Sequence, residues 1–485
     1  RLSRDIYGDA AALVFLTLWC FSPLLLGWGA TICPDAVAAA LGLVAVYSLR
    51  QWLRAPNWAG AAVAGLCLGL LPLAKTTWVI AFGIWPLIWC LWTAPSYLTK
   101  ADKCPLPRPP FRQLSLVLFL GLYTLNMGYF FDGTCRPLGQ YVFISQSLHG
   151  EKVAEDQQRP AVTGNRFAGT WLAGIPVPLP AEFVQGIDTQ RYDFERGRPS
   201  YLRGTWADHG WWYYYVYLLG VKMPLGTWCL VLLAVLATVV HRRYNAPWRD
   251  EMVLLVPLLA IFILVSSQTG FSEHPRYVLP ALPLLFVWIS KVGRAFAFRH
   301  RFVAALTKLA LVWLITSSLW IYPHSLSYFH ELAGGPKSGP RHLLGSNVDF
   351  GQELFSLDEW YQQHPEARPM RITRTGLCPL ELTKIESAGW PPVGPDGSLP
   401  PNGPSRAGLG PQPGWYALSV NEIYDQSRRW RYFLEFEPAA TAGYAIYIYH
   451  VTLDEANRVR RKLGLPELPE DGQQQTEDGA ARGRT

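Results

Sequence analysis

A chain of 485 residues in which half are apolar, 14% aromatic and only 16% charged departs from a soluble multidomain protein, where about a quarter of residues carry charge. Its formal net charge of +7 does not describe a nucleic-acid surface, because the Lys and Arg sit in short clusters between apolar runs, the pattern of membrane loops.

A hydrocarbon core about 30 Å thick is crossed by roughly 20 apolar helical residues. Runs of that kind predict nine spans, near 10–30, 36–53, 58–75, 77–95, 114–131, 224–241, 251–268, 277–292 and 303–322. The first follows RLSRDIYGD, which reads as a segment after a helix, with neither an initiator Met nor a signal peptide, so further N-terminal sequence is expected. Basic clusters fall at every second junction: Arg1 and Arg4; Arg50 and Arg54; Lys100, Lys103, Arg108 and Arg112; His241, Arg242, Arg243 and Arg249; Lys291, Arg294, Arg299 and Arg301. Positively charged loops stay in the cytoplasm, so these five junctions are expected on one face, the inner one. The spans make up a helical body over residues 1–131 and 224–322.

The outer face then carries the complex sequence. A loop over 132–223 is rich in Gly, Pro and aromatics and ends on GTWADHGWWYYYVY; its Trp211 and Trp212 read either as an interfacial aromatic belt or as a platform for a sugar ring or lipid carrier. A small α/β domain is expected over 323–465, with an amphipathic helix near 352–363, strands at MRITRT, GWYALSV and YAIYIYHV, and a Pro/Gly-rich surface loop at 390–413. The polar residues 466–485 read as a disordered tail. The eight cysteines show neither metal spacing nor a disulfide framework. Cys20, Cys67, Cys90 and Cys229 read as packing residues, while one disulfide among Cys33, Cys135 and Cys378 stays open.

Charged groups at the outer helix ends are the candidates for chemistry. Asp35, in ICPDAV, is the one acidic residue between 10 and 100 and reads either as a helix cap or as a carboxylate at a reacting centre. Lys75 ends GLCLGLLPLAKTTW, where an ammonium either snorkels or meets a lipid phosphate. His274, Arg276 and Tyr277 converge in SEHPRYVLPALP, where Arg276 can grip a phosphate bidentately and His274 can bond a phosphate or sugar hydroxyl. Lys222, before Pro224, reads as a further outer cation at a helix start. There is no GxGxxG after a strand, P-loop, HExxH or GxSxG in a strand–turn–helix setting, so a soluble nucleotide donor has no evident home.

Five stretches in order, IYGDAAALVFLTLWCFSPLLLGWGATICPDA, GLCLGLLPLAKTTW, YLRGTWADHGWWYYYVYLLGVKMPLG, HPRYVLPALPLL and YFHELAGGPKSGPRHLLGSNVDFGQEL, resemble bacterial members of glycosyltransferase family 39, the protein-mannosyltransferase-like branch of the GT-C superfamily. The resemblance implies a mainly α, polytopic GT-C-like membrane fold in a bacterial inner membrane. It implies a polyprenyl-phosphate sugar donor, and a protein, lipid or glycan acceptor. By it Asp35 matches an acidic outer position, and Lys75, His274 and Arg276 match positions near the donor phosphate. From the residues alone, Lys222 is a further candidate for the donor phosphate, and Tyr277, Trp211 and Trp212 are candidates for substrate. The family's general base belongs to a first outer loop upstream of IYGDAAAL, and a divalent metal is left open. The tail motif, GSNVDFGQEL here, tends to read DSNxDWGQDL in similar sequences, so Gly345, Phe350 and Glu353 are departures and Asp349 is as well explained as a helix cap. The alternatives are a transporter or flippase, expected to carry mid-span charges near broken helices, and a non-catalytic envelope protein with a sugar-binding outer domain.

Overall fold

The computed structural model describes residues 1–98, 109–150, 163–373, 378–397 and 408–469; the basic residues Lys100, Lys103 and Arg108, the end of MRITRT, part of the 390–413 loop and the tail from 470 lie outside them. The chain is mainly helical and divides into two units, Arg1–Ser200 with Ala207–Tyr322, and Tyr201–Trp206 with Pro323–Thr485. Unit boundaries therefore differ from the expected domains at one place: six residues of the 132–223 loop belong to the second unit.

In the first unit the main helices are α1 (Leu2–Tyr7), α2 (Asp9–Cys20), α3 (Pro23–Gly29), α4 (Asp35–Arg54), α5 (Trp58–Ala74), α6 (Ala81–Leu98), α7 (Phe111–Gly128), α8 (Ala181–Arg196), α9 (Tyr214–Lys222), α10 (Leu225–Val240), α11 (Trp248–Ser267), α12 (Leu282–Ile289) and α13 (Arg301–Ile321). Five stretches among the described residues are long and apolar enough to cross a bilayer: Asp35–Arg54, Thr76–Ala94, Trp248–Ser267, Pro275–Ala297 and Arg301–Ile321. Two bent pairs, α2–α3 and α9–α10, raise that number to seven. Of the nine expected spans, the other two are helical as α5, with 17 residues, and α7, with 18. Both bends sit at proline, which lacks an N–H and clashes with the preceding turn. At Pro23 the new helix starts with Ser22 as its cap and a 54° change of direction; at Pro224 the change is 113°.

Lipid tails are as apolar as the helices, so close packing rather than hydrophobicity holds spans together. Gly65 and Gly69 form a GxxxG stripe on α5 against α7. A Cβ at Gly65 would come 2.7 Å from the Val117 carbonyl oxygen, and one at Gly69 would collide with Gly121 and Thr124. Gly42 on α4 likewise makes room for the indole of Trp78.

Among the described residues, the basic junctions gather at one end of this body. Arg50 and Arg54, at the end of α4, grip Asp250 at the start of α11 through Arg50 Nε to Oδ1 (2.8 Å) and Arg54 to Oδ2 (2.5 Å). Lys291 Nζ lies 2.8 Å from Glu251 Oε1, which also accepts from Tyr7 OH. The Arg294 guanidinium donates to the carbonyls of Ile6, Tyr7, Arg243, Tyr244 and Asn245, tying α1 to the α10–α11 connection. Gln113, beside Arg112, accepts from Trp52 Nε1 at 2.9 Å. These cations are thus buried ties between helix ends as well as loop charge: Lys291 and Arg50 are almost wholly buried.

The second unit is a four-stranded sheet, in the order β3 (Met370–Ile372), β4 (Gly414–Ser419), β6 (Ile446–Val451), β5 (Ala440–Ala442), with β3–β4 parallel and the rest antiparallel. Alternation along β4 and β6 builds two cores. Ala417, Ile446 and Ile448 pack on α14 (Leu354–Gln363), while Tyr416, Leu418, Tyr449 and Val451 pack on Phe433 and on α15 (Leu453–Lys462). The hairpin β1 (Ser200–Leu202) and β2 (Thr205–Ala207) turns at Arg203 and Gly204, both with positive φ, and is fastened by Tyr201 OH to the Pro340 carbonyl (2.6 Å) and Trp206 Nε1 to the Tyr424 carbonyl (2.9 Å).

The tail motif is internal scaffolding. Asp349 accepts from Ser419 Oγ and from the Gly351 amide, both at 2.8 Å, and Glu353 lies 2.8 Å from His324 Nδ1. Burial raises Asp349 to about 6, and the hydrogen bond to Glu353 raises His324.

Two outcomes follow from this packing. Gly69→Leu lowers the thermal midpoint of the detergent-solubilised chain, by about 1–3 kcal/mol of overpacking, whereas Gly83→Ala, which points into open space, leaves it unchanged or higher. In the second unit, the His324 contribution is complete below the unfolded histidine pKa and lost as pH rises through its raised folded value, and Asp349 loses stability as pH rises from the ordinary aspartate range to about 6, where the loss is complete. Hydrogen exchange in β4 and β6, corrected for intrinsic rate, is therefore faster at pH 8 than at pH 5.5, and Glu353→Gln flattens the histidine part of that difference.

Candidate functional site

The opposite end of α4 carries the second charge cluster. Twenty residues at about 1.5 Å each separate the ends of α4 by roughly 30 Å, one hydrocarbon thickness. Asp35 opens the helix, where the positive end of the helix dipole favours a carboxylate. It is 2% exposed and paired with Lys75 Nζ at 2.5 Å. Lys75 stands where α5 stops and a 3-10 turn, Thr76–Ile80, begins. Trp78 in that turn is buried and donates its indole N–H to the Ala38 carbonyl at 3.1 Å, pinning the turn to the first turns of α4.

The segment 272–277 joins the same cluster. Lys75 Nζ donates to the Arg276 carbonyl at 3.0 Å and sits 5.5 Å from the Tyr277 ring centre. The Arg276 guanidinium lies 5.8 Å from the ring centre of Trp28 and 5.8 Å from that of Tyr277, and reaches Cys33 Sγ at 3.7 Å. His274 Nε2 lies 3.3 Å from Glu273 Oε2, and its ring faces Tyr277 edge-on. Burial, reinforced by Arg276, Arg198 and Lys75, drops His274 to about 3, so it is a neutral hydrogen-bonding ring at working pH rather than a third cation. Burial pushes the Glu273 carboxyl up, opposed by Arg198 and Arg276.

The aromatic candidates divide. Trp211 donates its backbone N–H to Ser272 Oγ (3.2 Å), and Tyr214 donates its hydroxyl to the Glu273 carbonyl (3.0 Å), so both border the cluster. Trp212, 68% exposed, packs on Tyr213. Lys222 is 1% exposed and ends α9 instead of starting a span, a correction with a clear cause: the helix begins eight residues earlier, at Tyr214, and stops at Pro224. Cys33, Cys135 and Cys378 are all free thiols.

A mostly apolar groove of about 230 Å³ opens beside Tyr277, the one cluster residue in its lining, with Gln190, Arg191 and Gln268 as its polar members. Thr76, Val79 and Ile80 form one wall, Leu264 and Val265 of α11 another, and Ile187 and Phe194 of the amphipathic α8 a third. Phe194 stacks on Phe271 (4.6 Å between centres), with Arg198 over the same ring at 5.4 Å. α8 is itself held by two carboxylates: Asp188 accepts from the amides of Ile144 and Ser145, and Glu195 from those of Gln146 and Ser147. Glu273, Arg198, Trp28 and the α8 face were not among the candidates read from sequence. Glu273 was within reach, adjoining His274 in SEHPRY; Arg198 and α8 become neighbours only through the fold.

Cations and hydrogen-bond donors beside an apolar groove make an amphiphile site: they can hold one anionic group whose chain runs over the groove. Among the described residues no His, Cys, Asp and Glu cluster suits a metal. Comparison with protein-family models, with curated proteins and with solved structures finds no match.

Because Asp35 and Lys75 are both withdrawn from solvent, removing one partner leaves the other as an uncompensated charge. Asp35→Asn is expected to cost about 3–5 kcal/mol in thermal or denaturant unfolding. The double change Asp35→Asn with Lys75→Met, which removes both charges, recovers most of it.

Proposed function

We propose that this chain is a membrane glycosyltransferase that moves a sugar from a polyprenyl-phosphate donor to a protein, lipid or glycan acceptor on the outer face of a bacterial inner membrane. The observation that carries this reading is the meeting of Lys75, Arg276 and Asp35 beside the Tyr277 groove, at the end of α4 away from the basic junctions. With those junctions in the cytoplasm, the cluster lies at the outer leaflet, where a polyprenyl phosphate presents its head.

In the proposed reaction the bond from the anomeric carbon to the phosphate oxygen breaks, and its electron pair leaves with the phosphate. The acceptor oxygen forms the new bond and gives its proton to a carboxylate. Lys75 and Arg276 stabilise the negative charge growing on the departing phosphate. Asp35, bonded to Lys75 and nearly inaccessible, acts as the group that orients that ammonium rather than as the proton acceptor. Lys75 has three donors, and Asp35 and the Arg276 carbonyl use two of them, which leaves a third for the phosphate. Neutral His274 suits a sugar hydroxyl, and Trp211 borders the space for the ring. No step requires a nucleotide or a metal held by these residues.

A flippase for a lipid-linked sugar is the second reading. Lys222, buried at the 113° bend between α9 and α10, is the kind of ionisable group at a broken helix that transport sites use.

Farnesyl-phosphate-linked sugars, offered one at a time to the purified chain together with a membrane extract as the source of acceptor, separate the two. A transferase releases farnesyl phosphate from at least one of them, and Arg276→Ala lowers that release by about 100-fold with folding intact. Release from none, alongside movement of the intact lipid across a vesicle membrane that depends on Lys222, supports the flippase.

A further inference from the structure

We propose that the second unit carries a binding site of its own for a sugar acid, a hexuronate of a glycan, in a cavity lined by Arg428, Arg431 and Asp396. This site is separate from the Lys75–Arg276 cluster, and its ligand is independent of what that cluster binds. The cavity holds about 480 Å³, within the range of roughly 300–1,000 Å³ typical of small-ligand sites. All of its described lining residues belong to the one unit.

The wall is set by close backbone packing. The segment 391–397 runs along the turn 428–432. Trp430 Nε1 donates to the Pro391 carbonyl at 3.1 Å, Tyr432 OH to the Pro392 carbonyl at 2.8 Å, and the Gly394 amide to the Arg429 carbonyl at 2.7 Å. A Cβ at Gly397 would come 2.7 Å from the Arg429 Cα, so this approach needs glycine. Leu434, and Leu463 just past the end of α15, add apolar surface.

The charged groups of the lining differ in how they are engaged. Glu435 is already paired, 2.7 Å from Lys462 Nζ. Among the described residues, the side chains of Arg428, Arg431 and Asp396 have neither a hydrogen bond nor an ion pair. Arg428 also stands in the left-handed region, with φ 56°, where glycine is the comfortable residue. Asp425 fixes that turn: its carboxylate accepts from the Ser427 amide at 2.8 Å and its carbonyl from the Arg428 amide at 3.1 Å. Local preference does not place an arginine there, and backbone strain at a cavity wall points to a use for the guanidinium.

Two unmatched guanidinia against one unmatched carboxylate leave a surplus of one positive charge, which suits a monoanion. A guanidinium offers parallel N–H groups that match a carboxylate bidentately. Asp396 only accepts hydrogen bonds when ionised, so it calls for a ligand that also brings donors. Leu434, Leu463 and the Tyr432 ring suit the C–H face of a pyranose. A hexuronate joins carboxylate, hydroxyls and apolar face in one ring. A fatty acid or a peptide C-terminus meets the arginines but brings no ring of hydroxyls to Asp396.

The test titrates the full chain, in phosphatidylcholine nanodiscs that present no sugar, with disaccharides of glucuronate, galacturonate and mannuronate, each beside its neutral hexose counterpart. At least one hexuronate is expected to bind with a Kd on the order of 1 mM or tighter, and about tenfold more tightly than its neutral counterpart. Arg431→Ala lowers that affinity about tenfold. Arg428→Gly removes the preference for the acid while the thermal midpoint stays the same or rises, because glycine relieves the left-handed backbone. Absence of binding by every hexuronate at about 10 mM, or equal binding of acid and neutral forms, overturns the proposal. So does an affinity unchanged in both arginine variants. Displacement of the sugar by acetylated trialanine at equal concentration also overturns it, since the site would then take any carboxylate. The wild-type series decides the matter even if a variant does not fold, and it involves no transfer reaction, so failure of the glycosyltransferase reading leaves it intact.

Discussion

A lysine held at the mouth of a membrane helix needs a counter-charge, and the Asp35–Lys75 pair meets that need by joining the start of α4 to the end of α5. The rest of the candidate site depends on this pair. With Asp35 fixing Lys75, the ammonium donates to the Arg276 carbonyl, and the guanidinium lies 5.8 Å from the ring centres of Trp28 and Tyr277. Trp78, seated over Gly42, holds the turn rigid, so the cluster is preorganised rather than assembled by a ligand.

The opposite end of α4 obeys the same electrostatic logic with a different result. There the carboxylates of Asp250 and Glu251 are enclosed by Arg50, Arg54, Lys291 and Tyr7, with Arg294 covering carbonyls of two helix ends. In that network Arg50, Asp250 and Lys291 are buried and already paired, and it reads as a structural tie. The Asp35 end instead adjoins, through Tyr277, a mostly apolar groove, and this difference in surroundings is what makes one cluster a candidate for binding and the other a fastening. On the proposed reading, donors fixed in this way would lose little entropy on binding a lipid head, since they would not reorganise.

Much of the helical body was legible because a bilayer imposes a length and a polarity that composition alone reports. Lys75, Arg276 and Asp35 could be picked out as charges at span ends, but their contact could not, since 201 residues separate Lys75 from Arg276. Helix bends were harder. Pro23 and Pro224 are visible in the sequence, yet an apolar run on both sides reads as one span, so Lys222 was assigned to a helix start when it closes a helix. The hairpin at Arg203 and Gly204 escaped notice because an arginine with positive φ breaks the usual turn signature. α15 had a readable signal in Thr452 and Glu455, a capping box that went unused.

The central claim is that one anionic lipid head sits on Lys75 and Arg276 with its chain in the groove beside Tyr277. The most direct measurement is an experimental structure of the chain with a bound polyprenyl phosphate. The account predicts density for the phosphate within hydrogen-bonding distance of Lys75 Nζ and the Arg276 guanidinium, with the first isoprene units between Val79, Val265 and Phe194. A phosphate at the Asp250–Lys291 end, or a lipid chain leaving the groove empty, would contradict it.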